Sequence, residues 1–116
     1  MPKLIQNLQD LIALPSISSS NPALDTSNRP VIDLLAERLA DLGFAIEIQT
    51  VTDSSANGAH TTAGKYNLIA TLGTGSGGLV LAGHTDTVPY DEGKWQSDPF
   101  TLSDRDNRFY GLGTTD

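Results

Sequence analysis

Between Pro30 and Gln49 the hydrophobic period switches abruptly from helical to alternating, and no other stretch restricts the fold as much. Val31, Ile32, Leu34, Leu35, Leu39 and Leu42 form one broad apolar stripe at helical spacing, with Glu37, Arg38 and Asp41 mostly off it. Ser27 or Asn28 offers the N-cap and Pro30 suits the first turn, while Gly43 stands where a left-handed residue closes a helix. Phe44-Ala-Ile-Glu-Ile-Gln then alternates, placing Phe44, Ile46 and Ile48 on one face and Glu47 and Gln49 on the other, as in a strand with one wet side. A helix that runs directly into a strand calls for an α/β or α+β arrangement.

The flanking segments extend this reading. Leu4, Ile5, Leu8, Leu11 and Ile12 recur at helical spacing between Pro2 and Pro15, predicting an amphipathic helix of about three turns. Residues 16–30 have no period. Residues 52–64 read as a polar surface loop, with His60 exposed in it. Tyr66 to Leu72 and Leu79 to Ala82 read as strands, the second buried, and Phe109 with Tyr110 as one more short strand. The glycine-rich run Gly73 to Gly78 invites a phosphate-loop reading, but a phosphate loop opens a helix and the Walker type adds a lysine. Here an apolar, strand-like run follows, so a flexible hairpin turn is the expectation.

Composition narrows the function classes. With 116 residues the chain is one domain at most, and 38% apolar content with a mean hydropathy of -0.19 suits a packed core rather than disorder. Fourteen acids against seven bases give a net charge of -7, which argues against a nucleic-acid partner. The absence of cysteine removes disulfides and thiolate sites. The first fourteen residues lack the apolar core of a secretory signal, and no run reaches the roughly 18 apolar residues of a membrane span. A cytoplasmic protein without a membrane partner is expected. Because the sequence stops in the glycine-rich Tyr110-Gly-Leu-Gly-Thr-Thr-Asp116, the chain also reads as a fragment of a longer one.

Chemistry concentrates in Gly83-His84-Thr85-Asp86-Thr87-Val88-Pro89, directly after an apolar run, where α/β sheets place ligands. In extended backbone His84 and Asp86 project to the same side. A neutral imidazole is a common ligand for Zn²⁺ or Co²⁺, and the neighbouring carboxylate either binds metal or holds the ring in its ligating tautomer. The competing reading is a pair that only stabilises a turn. Asp116, at the end of its glycine-rich segment, is a further carboxylate able to approach the same strand end, although Gly-x-Gly before an Asp is also ordinary turn chemistry. Trp95 and Phe100, bracketing Asp98-Pro99, read as anchors. Asp91, Glu92, Asp98, Asp104 and Asp106 read as a solvated negative surface.

Leu14-Pro-Ser-Ile-Ser18, Gly83-His-Thr-Asp-Thr-Val-Pro89, Trp95 with Asp98-Pro-Phe100, and Tyr110 to Asp116 together resemble the opening part of the M20 family of metallopeptidases and amidohydrolases. The resemblance implies a mixed-sheet, helix-flanked, zinc-peptidase-like catalytic domain of which residues 1–116 are the N-terminal portion, the inserted dimerisation domain being absent. It further implies two metal ions, Zn²⁺ or Co²⁺, with His84 binding one, Asp116 bridging both and the catalytic Asp86 orienting the imidazole. A glutamate pair that includes the general base, another carboxylate ligand and a distant histidine would follow residue 116, so the chain alone would be inactive. Within the family, Leu81 to Pro89, Asp98 to Leu102 and Tyr110 to Thr114 are most similar to the branch that hydrolyses the acetyl group from N2-acetyl-L-ornithine. The implied partners are a small N-acetylated amino acid and, in the complete protein, a second copy in a homodimer. A desuccinylase, another deacylase or a dipeptidase of the family, and a non-catalytic module, are the alternatives.

Overall fold

The computed structural model describes residues 2–51 and 64–115, and the elements it contains are two helices and four strands. Helix α1 spans Pro2–Ile12 and α2 spans Arg29–Asp41. Strands β1 (Ala45–Val51) and β2 (Lys65–Thr71) form one antiparallel ladder, and β3 (Ser103–Arg105) and β4 (Arg108–Tyr110) form another. This is the α/β composition that the switch of period demands.

Each helix boundary has a local cause. The ring of Pro30 occupies the first turn of α2, where the missing N–H is not needed. At the other end Gly43 adopts φ +90°, its N–H donating to Ala40 O at 2.9 Å, and the Phe44 N–H reaches back to Leu39 O at 3.0 Å. That pair of bonds is a Schellman closure, and it aims the chain straight into β1. An alanine at 43 has the space for its methyl but not the backbone freedom. We expect Gly43→Ala to lower stability by about 1 kcal/mol in denaturant titrations of the full-length protein, with no change in unfolding slope.

The ladder register pairs Ile46 with Ala70 and Ile48 with Leu68, so these half-buried side chains share the face against which α2 packs. Helix α1 lies beside α2, where the Arg38 guanidinium donates to Asn7 Oδ1 at 2.8 Å and to the Asp10 carboxylate. Bonds from Gln6 and Arg38 hold the Asp10 carboxyl below its ordinary range. The most buried apolar side chains are Ile12, Ile17, Val31, Ile32 and Leu112, so the core sits where α1, the start of α2 and two loops meet. Leu4 and Leu42, expected in the apolar stripes, lie exposed at helix ends.

A second anchor ties the loop after α1 to β2. Lys65 Nζ donates to Asp25 Oδ1 at 2.8 Å, Thr26 O at 2.6 Å and Ile17 O at 3.2 Å. The Asp25 side chain is only 4% exposed and that of Lys65 19%. Asn28 caps α2 by position but not by side chain: its amide instead brackets Tyr66, accepting from Tyr66 N and donating to Tyr66 O, each at 2.9 Å. It thereby acts as a one-residue substitute for a neighbouring strand.

Three expectations are corrected. Leu79 to Ala82 is not a buried strand, since Leu79, Val80 and Leu81 are 84%, 89% and 87% exposed and no described segment pairs with them. A strand exists only with a partner to complete its hydrogen bonds, and apolar character alone supplies none. Gly73 to Gly78 is therefore not a hairpin turn but a run leading from β2 into unpaired backbone, with positive φ at Gly73, Gly75, Gly77 and Gly78. The end of the chain holds a hairpin where only one short strand was expected. Asp106 and Asn107, at φ +54° and +58°, make the mirror-image two-residue turn that suits the strand twist between β3 and β4.

Candidate metal centre

The run Leu79 to Ala82 leads through Gly83 to His84, and what fixes the backbone beyond it is a crossing with the loop after α1. Ser18 N donates to Thr87 O at 2.9 Å and Thr87 N to Ser16 O at 3.1 Å, a parallel bridge between Ile17 and Thr87. From this crossing His84 and Asp86 reach the same cleft, as alternate residues of extended backbone do. His84 Nδ1 lies 3.3 Å from Asp86 Oδ1 and 3.1 Å from Asp86 O. Both side chains are about half exposed, at 58% and 53%, so the pair meets solvent at the cleft mouth.

The opposite wall is the loop from Gly111 to Thr115, with Val88 and Trp95 alongside, around a volume of about 290 Å³. Leu112 N donates to Pro99 O at 2.7 Å, and Thr114 closes a turn on Gly111 O through both its N–H and its hydroxyl. Glycine at 111 permits a close approach, because a methyl there would stand 3.0 Å from Ile12 Cγ2. Trp95, read as an anchor, also lines the cleft. Phe100 is held by an edge-on contact with Tyr90 at 5.6 Å, and Asp98 fixes the turn by accepting from Phe100 N at 2.9 Å.

The structure thus brings His84 and Asp86 together. Asp116 lies outside the described residues, as does His60, and Asp116 follows directly on the cleft-lining Thr115. Among the described residues no cluster of three or more His, Cys, Asp or Glu side chains is gathered for a metal ion. The described donors fit a divalent ion in kind, an imidazole with a carboxylate at its other nitrogen, and fall short of the four or so a closed zinc site needs. The buried Thr87 Oγ1, beside the pair, has no hydrogen-bond partner. Sequence reasoning did not find Ser16 and Asn28, whose contacts with the His84 segment are made across 69 and 57 residues. No helix among the described residues is long and apolar enough to cross a membrane.

Residues 80–116 match the profile of Peptidase family M20/M25/M40. Over its whole length the chain is 55% identical to an acetylornithine deacetylase of Photorhabdus laumondii, 53% to one of Proteus mirabilis and 54% to one of Edwardsiella ictaluri. It spans 28% of the length of each of these relatives.

Proposed function

We infer, on the premise that this chain belongs to peptidase family M20, that it is the N-terminal part of the catalytic domain of a metal-dependent hydrolase removing the acetyl group from N2-acetyl-L-ornithine. One observation carries the reading: the His84–Asp86 pair faces a cleft built almost wholly from the segment that matches the family profile. His84 is assigned as a metal ligand, Asp86 as the residue that orients it, and Asp116 as a carboxylate bridging two ions. The ions, Zn²⁺ or Co²⁺, would supply Lewis-acid polarisation of the acyl oxygen and a water acidified toward neutrality.

The chain's own residues prepare that chemistry. By accepting the Nδ1–H, Asp86 selects the neutral tautomer whose lone pair is on Nε2, the nitrogen left for a metal ion. Trp95 and Val88 supply the large apolar side chains beside the pair in the cleft wall. The general base and the remaining donors are assigned to sequence that the relatives carry beyond the matched 28%. The same reading makes the complete protein a cytoplasmic homodimer.

Full-length protein stripped by a chelator and reconstituted with Zn²⁺ or Co²⁺ is expected to release acetate from N2-acetyl-L-ornithine faster than it releases succinate from an N-succinyl diamino acid. A reversed preference moves the protein to the desuccinylase branch, and no turnover of either leaves the non-catalytic module. Asp86→Asn is expected to lower kcat/KM about 10–100-fold while leaving much of the metal bound, the usual size of an effect exerted through a ligand's orientation. Metal content measured beside the rate separates this from loss of the ion, and a wild-type rate would make Asp86 a turn-stabilising partner only.

A further inference from the structure

We propose that Ser16 is a positioning residue for the cleft, setting the orientation of His84 and Asp86 through the main chain of Thr85; the proposal rests on the reading of His84 as a metal ligand. The Ser16 hydroxyl donates to Thr85 O at 2.5 Å, on the second of the two peptides between the cleft residues His84 and Asp86. Its own carbonyl takes the Thr87 N–H at 3.1 Å, so one residue holds the 85–87 backbone at two points. Ser16 is 4% exposed although it sits in a loop of serine, asparagine and proline, where a serine without a task faces water. The loop that carries it is itself fixed, by the Lys65 ammonium on Ile17 O and by the Thr26 hydroxyl accepting from Ile17 N at 2.7 Å. Asn28, buried and bound to β2, adds a longer contact of 3.4 Å to Thr85 Oγ1.

The need for such a clamp follows from the fold. The run Leu79 to Ala82 has no ladder among the described residues to fix its twist, and the backbone that follows His84 is held at the crossing with the loop after α1. A rotation about the 85–86 peptide turns Asp86 relative to His84, and a ligand loses its bond when it is displaced by a few tenths of an ångström. Serine meets both demands, with a donor on a one-carbon stem and little bulk at a crossing of two backbones.

The test uses full-length protein in three forms, wild type, Ser16→Ala and Ser16→Thr, and two readouts besides activity. The first is Co²⁺ affinity with the visible absorption of the bound ion. The second, on metal-free protein, is the ratio of Nδ1–H to Nε2–H tautomers of His84 read from ¹⁵N shifts. Ser16→Ala is expected to bind Co²⁺ about tenfold more weakly, with an altered visible band and a shifted tautomer ratio, and Ser16→Thr to recover both by keeping the hydroxyl. Wild-type affinity and tautomer ratio in Ser16→Ala, or equal losses in the two variants, would overturn the proposal. Should Ser16→Ala not yield folded protein, Ser16→Cys goes through the same measurements under the same criteria. If wild type takes up no Co²⁺, the deacylase reading fails, and the role of Ser16 is then decided by the tautomer ratio alone.

Discussion

In full-length protein, His84→Ala is expected to lower kcat/KM for N2-acetyl-L-ornithine by about 10³-fold or more, the equivalent of roughly 4 kcal/mol of transition-state stabilisation at 1.36 kcal/mol per factor of ten. The size follows from the assigned role. With His84 as the proposed ligand, an alanine would open the coordination shell, and Asp86, left without the imidazole it faces at 3.3 Å, would not restore it. The measurement is the steady-state rate after chelation and return of metal, with bound ion counted. Activity near wild type would remove His84 from the ligand set. Metal retained at full occupancy with the rate lost would instead place the imidazole at a later step than metal capture.

Asp25→Ala should produce the largest stability change, about 3 kcal/mol, because it leaves a largely buried ammonium without its counter-charge while Thr26 O and Ile17 O still hold it in place. Replacing both partners with apolar side chains, Asp25→Leu with Lys65→Met, is expected to recover most of the loss. The pair also sets a pH response. The Lys65 ammonium holds the Asp25 carboxyl below its ordinary 3.8 against an opposing push from burial, and a bond from Ser19 N adds to the lowering. The unfolded chain therefore binds this proton more tightly than the folded one. The contribution is fully present above about pH 4 and is lost as pH falls through the lowered folded value. Urea midpoints taken from pH 6 to pH 2 should fall less steeply in the doubly substituted protein, and parallel curves would contradict the assignment.

What could be read from the amino-acid order and what could not divides along sequence distance. The closure at Gly43, the alternation through Phe44, Ile46 and Ile48, and the pointing of His84 and Asp86 into one cleft all depend on neighbours within a few residues, so their signals are written locally. The run Leu79 to Ala82 has the composition of a buried strand, yet strand formation is decided by a partner, which composition does not specify. Strands β3 and β4 went unseen as a hairpin for the opposite reason. Ser103-Asp-Arg and Arg-Phe-Tyr110 carry too few apolar residues to alternate visibly, and the signal lay in the turn pair Asp106-Asn107. Ser16 and Asn28 look like loop and cap residues in one dimension. Their bonds to Thr85 and Tyr66 span tens of residues, and only the folded backbone reveals them. Asp116, named from the motif, lies outside the described residues, so the described site holds one imidazole and one carboxylate of the set that the family resemblance implies.

The three lysines of this chain differ sharply in chemical availability. Lys3 is exposed, and Lys94 reaches Asp91 across an open surface at 2.7 Å, so both amines are open to an acylating reagent. The Lys65 amine is covered and bonded to a carboxylate and two carbonyls, which keeps a reagent from reaching it while the fold is closed. An amine-reactive ester should therefore mark residues 3 and 94 within minutes and reach residue 65 only as often as the loop after α1 lifts off β2. Mass spectrometry of that one peptide over time would turn a structural anchor into a clock for opening at the very loop that presses on the backbone of the cleft.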